Sequence, residues 1–403
     1  MVTSRSLSSL LALPALAFFS LSASALPHPR TASSTSTLKL AVRINSYGIK
    51  NIAAADRARI QTLQAGGSSS ISLTNNVTTY TADIGVGSPA TYYTVLVDTG
   101  SSNTWIGANE AYAKTATSKD TGNTFSVQYG IGSVSGEEYT DTVTLNSDLV
   151  IENQSIGVAS ESSGMDGLDG ILGVGPVDLT QGTVSNTYEV ATVTDNLYKQ
   201  RTIGSEVLGV FFAPASSGDS SGELTFGGYD TSKITGDVSY VPITSTSPAN
   251  GYWGIDQSIS YGPMPILDET AGIVDTGTTL ILLASDAFHR YQSATGATYN
   301  AEVGLLQISS DQYEKLSSLY FTIGGVTYEL TPNAQIWPRS LNSAIGGTTD
   351  GIYLVVSSTG TPSGSGLDFT NGYCFLERFY SVFDTTNSRV GFATTQYTDA
   401  TTN

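Results

Sequence analysis

One short pattern occurs twice in this chain. Val95-Leu96-Val97-Asp98-Thr99-Gly100-Ser101-Ser102 is echoed far downstream by Gly272-Ile273-Val274-Asp275-Thr276-Gly277-Thr278-Thr279. Each copy opens with an apolar run that reads as a buried strand. Each strand breaks into a loop that leaves one carboxylate at its end, with hydroxyl residues at matching offsets. A single Asp-Thr-Gly is an ordinary turn. Two copies predict two related halves and two carboxylates brought face to face. Such a pair cannot easily ionise together, so it shares a proton. The ionised member can take a proton from water while the protonated member polarises a carbonyl. That is hydrolysis by general acid–base catalysis, without a covalent intermediate.

The rest of the chain has the composition such halves need. Its 403 residues suffice for two domains, each with its own core. Charged residues are only 13%, and 42 glycines are spread among frequent Ser and Thr, which favours short strands and turns over helices. Residues 79–85, 92–97, 138–145, 170–173 and 223–226 read as strands, and 285–294 as one of few helices. The region 236–251, rich in Ser, Thr and Pro, reads as the crossing between halves. The expected fold class is all-β with two related lobes and a cleft between them.

Charge is distributed unevenly. Residues 1–75 hold seven of the 17 Lys and Arg and a single acid, Asp56, which leaves ten bases against 34 acids beyond them, a net of −24. An acidic body of this kind excludes charge-driven binding to nucleic acid or to an anionic membrane. It also suits acid, because few bases are left unbalanced when the carboxylates protonate. With one cysteine, Cys374, no intramolecular disulfide can form, and two histidines leave little for a His/Cys metal site or a Ser-His-Asp triad. No metal or cofactor is expected.

Residues 1–25 read as a secretory signal, with Arg5, an apolar run from Leu10 to Leu21 and an Ala23-Ser24-Ala25 cleavage site. Residues 26–65 form a basic segment with a strand-like alternation at Leu38, Leu40, Val42 and Ile44 and a helical stretch at 49–63. A net-positive leader is the natural partner of an acidic body, so this segment reads as an intramolecular inhibitor released in acid. Ala65-Gly66-Gly67-Ser68-Ser69-Ser70 reads as an exposed, cleavable linker. The lobes are then 66–236 and 237–403. Asn76-Val77-Thr78 and Asn153-Gln154-Ser155 are glycosylation sequons. A secreted monomer acting on protein or peptide, without nucleic acid or membrane, is the expected state.

Asp98-Thr-Gly-Ser-Ser-Asn103 and Asp275-Thr-Gly-Thr-Thr279 resemble the two signature loops of the pepsin-like aspartic endopeptidases. The similarity runs from about Thr79 to Phe392. Gly170-Ile-Leu-Gly-Val-Gly-Pro-Val-Asp-Leu-Thr180 and Phe375-Leu-Glu-Arg-Phe-Tyr-Ser-Val-Phe-Asp384 look closest to the polyporopepsin type. The resemblance implies a bilobal acid protease fold, made as a zymogen, with Asp98 and Asp275 as catalytic residues and apolar residues preferred around the scissile bond. It implies that Thr99 and Thr276 brace the loops, and that Ser101 and Thr278 hydrogen-bond the carboxylates. Gly100 and Gly277 would let substrate backbone come close. Tyr129-Gly130-Ile131-Gly132 resembles the family's flap, a hairpin that closes over the peptide, with the Tyr129 hydroxyl reaching the indole N–H of Trp105.

The chain departs from the pattern in lacking disulfides. Its second half also has Thr370-Asn371-Gly372-Tyr373 where the family has an apolar pair, Gly and Asp. Two rival readings stand beside this one. A non-catalytic binding protein on the same scaffold would be expected to have lost an Asp, Thr or Gly from a loop, and both loops are intact. A β-sandwich carbohydrate hydrolase with two carboxylates fits the composition, but three tryptophans are few for a sugar site, and it leaves the hydroxyl-flanked pair unexplained.

Overall fold

The computed structural model describes residues 35–44, 51–65, 78–129, 132–165, 167–217 and 221–403. The signal-like stretch 1–25, Asn76 of the first sequon, and Gly130 and Ile131 at the hairpin tip lie outside them.

Strands dominate, in two large sheets and a small one of three strands. The strand Thr91–Asp98 runs parallel to Gly170–Gly173, which pairs antiparallel with Thr104–Ile106. The second half repeats this arrangement. Met264–Val274 runs parallel to Phe369–Asn371, which pairs antiparallel with Ile281–Leu283. Both strands that deliver an Asp therefore sit centrally, held on two sides, and their apolar runs are buried on both faces. Strands with one face toward solvent alternate instead. Gly254–Tyr261 buries every second residue along most of its length.

The larger sheet has thirteen strands and is not confined to the first half. Phe379–Asp384, near the carboxyl terminus, pairs with Val207–Phe212, a run buried at every position. Arg389–Thr394 and Ser239–Pro242 extend that edge. The crossing region thus contributes a strand as well as a connection. The predicted helix at 285–294 is found at Ser285–Thr295. The helix Val193–Lys199, whose Thr192 and Asp195 form a capping box, was missed.

The basic segment is integrated into this framework. Ser36–Ile44 lies between Ser221–Phe226 and Thr78–Val86 as an antiparallel member of the large sheet. Ile52–Gln64 is a helix whose Asn51 side chain accepts from Ala54 N–H at 2.9 Å. Its buried positions include Ile52, Ala55, Asp56, Arg59, Ile60 and Leu63, one stripe at helical spacing. Two of these inward positions are charged.

Candidate active site

The doubled loops meet at the centre. Thr99 N–H donates to Thr276 Oγ1 at 3.0 Å, and Thr276 N–H donates to Thr99 Oγ1 at 2.9 Å. Each hydroxyl in turn donates across to the other strand, Thr276 to the Val97 carbonyl at 3.1 Å and Thr99 to that of Val274 at 3.4 Å. All four groups are buried, where unmet polar atoms are costly, so this reciprocal set fixes the loops against each other.

Asp98 and Asp275 are fully buried and carry matching hydrogen bonds. Ser101 Oγ donates to Asp98 Oδ2 at 2.5 Å and Gly100 N–H to Oδ1 at 2.9 Å. Thr278 Oγ1 donates to Asp275 Oδ2 at 2.5 Å and Gly277 N–H to Oδ1 at 3.0 Å. A Cβ on Gly100 would stand 2.7 Å from Asp275 Oδ1, and one on Gly277 would stand 2.5 Å from Asp98 Oδ1. Only glycine permits this approach.

Arg59 of the amino-terminal helix joins the two carboxylates. Its Nη2 donates to Asp98 Oδ1 at 2.7 Å and to Asp275 Oδ1 at 2.9 Å, and its Nε donates to Asp275 Oδ2 at 2.7 Å. Burial opposes the guanidinium charge, but the two carboxylates outweigh it and hold the Arg59 pKa above its ordinary value. Burial raises the Asp98 pKa and the Asp275 charge adds to the rise, while Arg59, Ser101 and Gly100 pull it back. Asp56, one turn earlier, accepts from Leu280 N–H at 2.8 Å and Thr279 N–H at 3.3 Å, just past the Asp275 loop. Burial pushes its pKa up to about 7 against those two bonds. Sequence reasoning assigned no contact to Arg59 or Asp56. The available signal was their position on the stripe shared with Ile52, Ile60 and Leu63.

The remaining predicted residues gather less uniformly. Tyr129 and Gly132 are cross-strand partners at the base of the hairpin. The Trp105 and Tyr129 rings stack with centroids 6.2 Å apart. The expected hydrogen bond between them is not formed, since Trp105 Nε1 has no hydrogen-bond partner among the described residues; the two rings lie nearly parallel and offset, 21° apart. Asp169 accepts from Thr94 N–H at 2.8 Å and Glu110 N–H at 3.0 Å. The departure at Thr370-Asn371-Gly372-Tyr373 is hydrogen-bonded to the Asp275 loop. Asp275 N–H donates to the Asn371 carbonyl at 3.1 Å and Tyr373 N–H to that of Thr278 at 2.8 Å. Cys374 is buried, and Asn153 of the second sequon is exposed. Among the described residues, no three His, Cys, Asp or Glu are grouped to hold a metal ion.

The chain is similar to known proteins. The family model described as eukaryotic aspartyl protease matches residues 79–395. Polyporopepsin from Irpex lacteus is 61% identical over 338 residues, which span 83% of this chain and 99% of that protein. Cathepsin E from Rattus norvegicus is 32% identical over 341 residues, 78% of this chain and 79% of that protein. The crystal structure of the aspartic proteinase from Irpex lacteus superimposes with a TM-score of 0.78 at 61% identity, covering 81% of this chain and 96% of that one.

Proposed function

The chain belongs to the eukaryotic aspartyl protease family, and from that premise we propose that Asp98 and Asp275 are its catalytic pair and that residues 26–65 hold them inactive until the medium turns acid. As an aspartic-type endopeptidase it acts on proteins or peptides. The single observation that carries the assignment is that one guanidinium nitrogen reaches both carboxylates, so the two face a common point. With Arg59 gone, that point is where a water would stand.

With one proton shared by the pair, the ionised carboxylate takes a proton from the water as its oxygen bonds to the scissile carbonyl carbon. The protonated carboxylate gives its proton to the carbonyl oxygen. The resulting diol collapses when a proton passes to the amide nitrogen and the C–N bond breaks. Thr99, Thr276, Ser101 and Thr278 keep both carboxylates in register. Gly100 and Gly277 admit the peptide backbone, and the hairpin of Tyr129, Gly130, Ile131 and Gly132, backed by Trp105, covers it.

In this reading 1–25 is a secretory signal, 26–65 the activation segment, and 66–236 and 237–403 the lobes of a secreted, monomeric enzyme. Arg59 occupies the place of water and scissile carbonyl, and protonation of the carboxylates weakens its hold. The bilobal fold and the acidic body support this view. Asp98→Asn and Asp275→Asn each abolish digestion of denatured protein in mild acid, by at least ~10³-fold. Full activity in either variant contradicts the assignment. Amino-terminal sequencing of acid-incubated wild type reads the processing site.

A further inference from the structure

The two lobes support their central strands differently. In the first, Leu172 stands beside Val97 in the parallel pair and belongs to the apolar core. In the corresponding place of the second, Asn371 stands beside Val274. A fully buried carboxamide is costly unless its hydrogen bonds are met. Gln257 meets them. Its Nε2 donates to Asn371 Oδ1 at 3.1 Å, and Asn371 Nδ2 donates to Gln257 Oε1 at 2.9 Å. Both residues have no exposed surface.

Gln257 also has a counterpart. It pairs with Thr270 as Ile84 pairs with Tyr93, and Thr270 and Tyr93 stand equally far before their Asp. Ile84 is buried in the apolar core with Leu172. One lobe thus has Ile and Leu where the other has Gln and Asn. The exchange matters for the site because the Asn371 carbonyl accepts the Asp275 N–H. An apolar pair tolerates small slides, whereas two opposed amides fix angle and distance.

We infer that Gln257 is a positioning residue for Asp275, acting through its side-chain pair with Asn371. This rests on the reading of Asp98 and Asp275 as the catalytic pair. Loss of either amide frees the other to seek new partners, and the Asn371 peptide shifts with it. The Asp275 carboxylate then leaves the geometry in which it shares a proton with Asp98.

The test uses the acid-activated full chain, with Asp275→Asn as control. Gln257→Leu and Asn371→Leu each lower kcat by roughly 10- to 100-fold while KM stays within about twofold, and each moves the acid limb of the kcat–pH profile. The double variant Gln257→Leu/Asn371→Leu, apolar like the first lobe, recovers kcat to within about threefold of wild type. Single variants with wild-type kcat and profile overturn the inference, as does a double variant whose loss equals the product of the singles. If the single variants do not fold, the double decides alone: folded and active supports the inference, unfolded or inactive overturns it. Wild type without activity in acid, or an active Asp275→Asn, defeats the underlying assignment instead.

Discussion

Arg59 balances two negative groups that would otherwise face each other in a dry interior. Burial raises the Asp98 pKa overall and the Arg59 charge pulls it part of the way back, so the attraction between Arg59 and this carboxylate is present where the carboxylate is ionised and fades as pH falls through its titration. Arg59→Gln keeps a donor but removes the charge. The pH midpoint of processing then rises, by about one unit or more, as read from the fraction cleaved across a pH series; an unchanged midpoint contradicts a role for the pair. Asp56 runs in the opposite direction. Its raised pKa means the docked helix favours the protonated form, so its contribution is full below the ordinary carboxylate range and is lost as pH rises through about 7. The facing of Asp98 and Asp275 and the hydroxyls bonded to them were legible because a loop carries its chemistry in consecutive residues. Arg59, Asp56 and Gln257 were not assigned contacts, because their partners lie more than a hundred residues away along the chain for Gln257 and two hundred for Asp56.

At the level of elements, the helix Ile52–Gln64 depends on its neighbours more than on itself. It is short, its stripe carries two charges, and its hold comes from Ile60 and Leu63 in the core, the Tyr252 hydroxyl donating to the Leu63 carbonyl at 3.2 Å and the Arg57 Nε donating to that of Ser358 at 3.2 Å. Leu63→Ala removes about 2–5 kcal/mol of packing. In neutral solution it exposes Arg57 and Arg59 to trypsin, and a gel time course shows nicking there well before the body is cut. Equal resistance to wild type contradicts the docking described. Period alone located this helix, the neighbouring strand and the helix Ser285–Thr295. It did not show that Phe379–Asp384 and Arg389–Thr394 join the sheet of the first half, since sheet partners over such distances leave no local trace.

For the whole molecule, stability without disulfides rests on burial, and burial includes carboxyl groups away from the site. Glu377 is pushed up to about 7, chiefly by burial, with the Tyr80 hydroxyl 2.8 Å from its Oε1 and Arg378 pulling it back. Glu138 is pushed up to about 7 by burial as well. A folded pKa above the ordinary value means the stabilisation is complete below about 4.5 and is lost as pH rises through 7. Glu377→Gln, neutral at every pH, flattens that loss by roughly 3 kcal/mol. Thermal melts between pH 4 and pH 8 check it, and parallel curves for variant and wild type speak against it. The acidic composition pointed to acid use, but not to which carboxyls are buried. The strand Ser36–Ile44 has a further consequence. It is threaded between Ser221–Phe226 and Thr78–Val86, with backbone partners on both sides. A cut at the proposed linker behind it therefore unlatches nothing by itself. The strand has to be unzipped rung by rung, so a cut chain lingers as a nicked complex whose lifetime is set by the sheet.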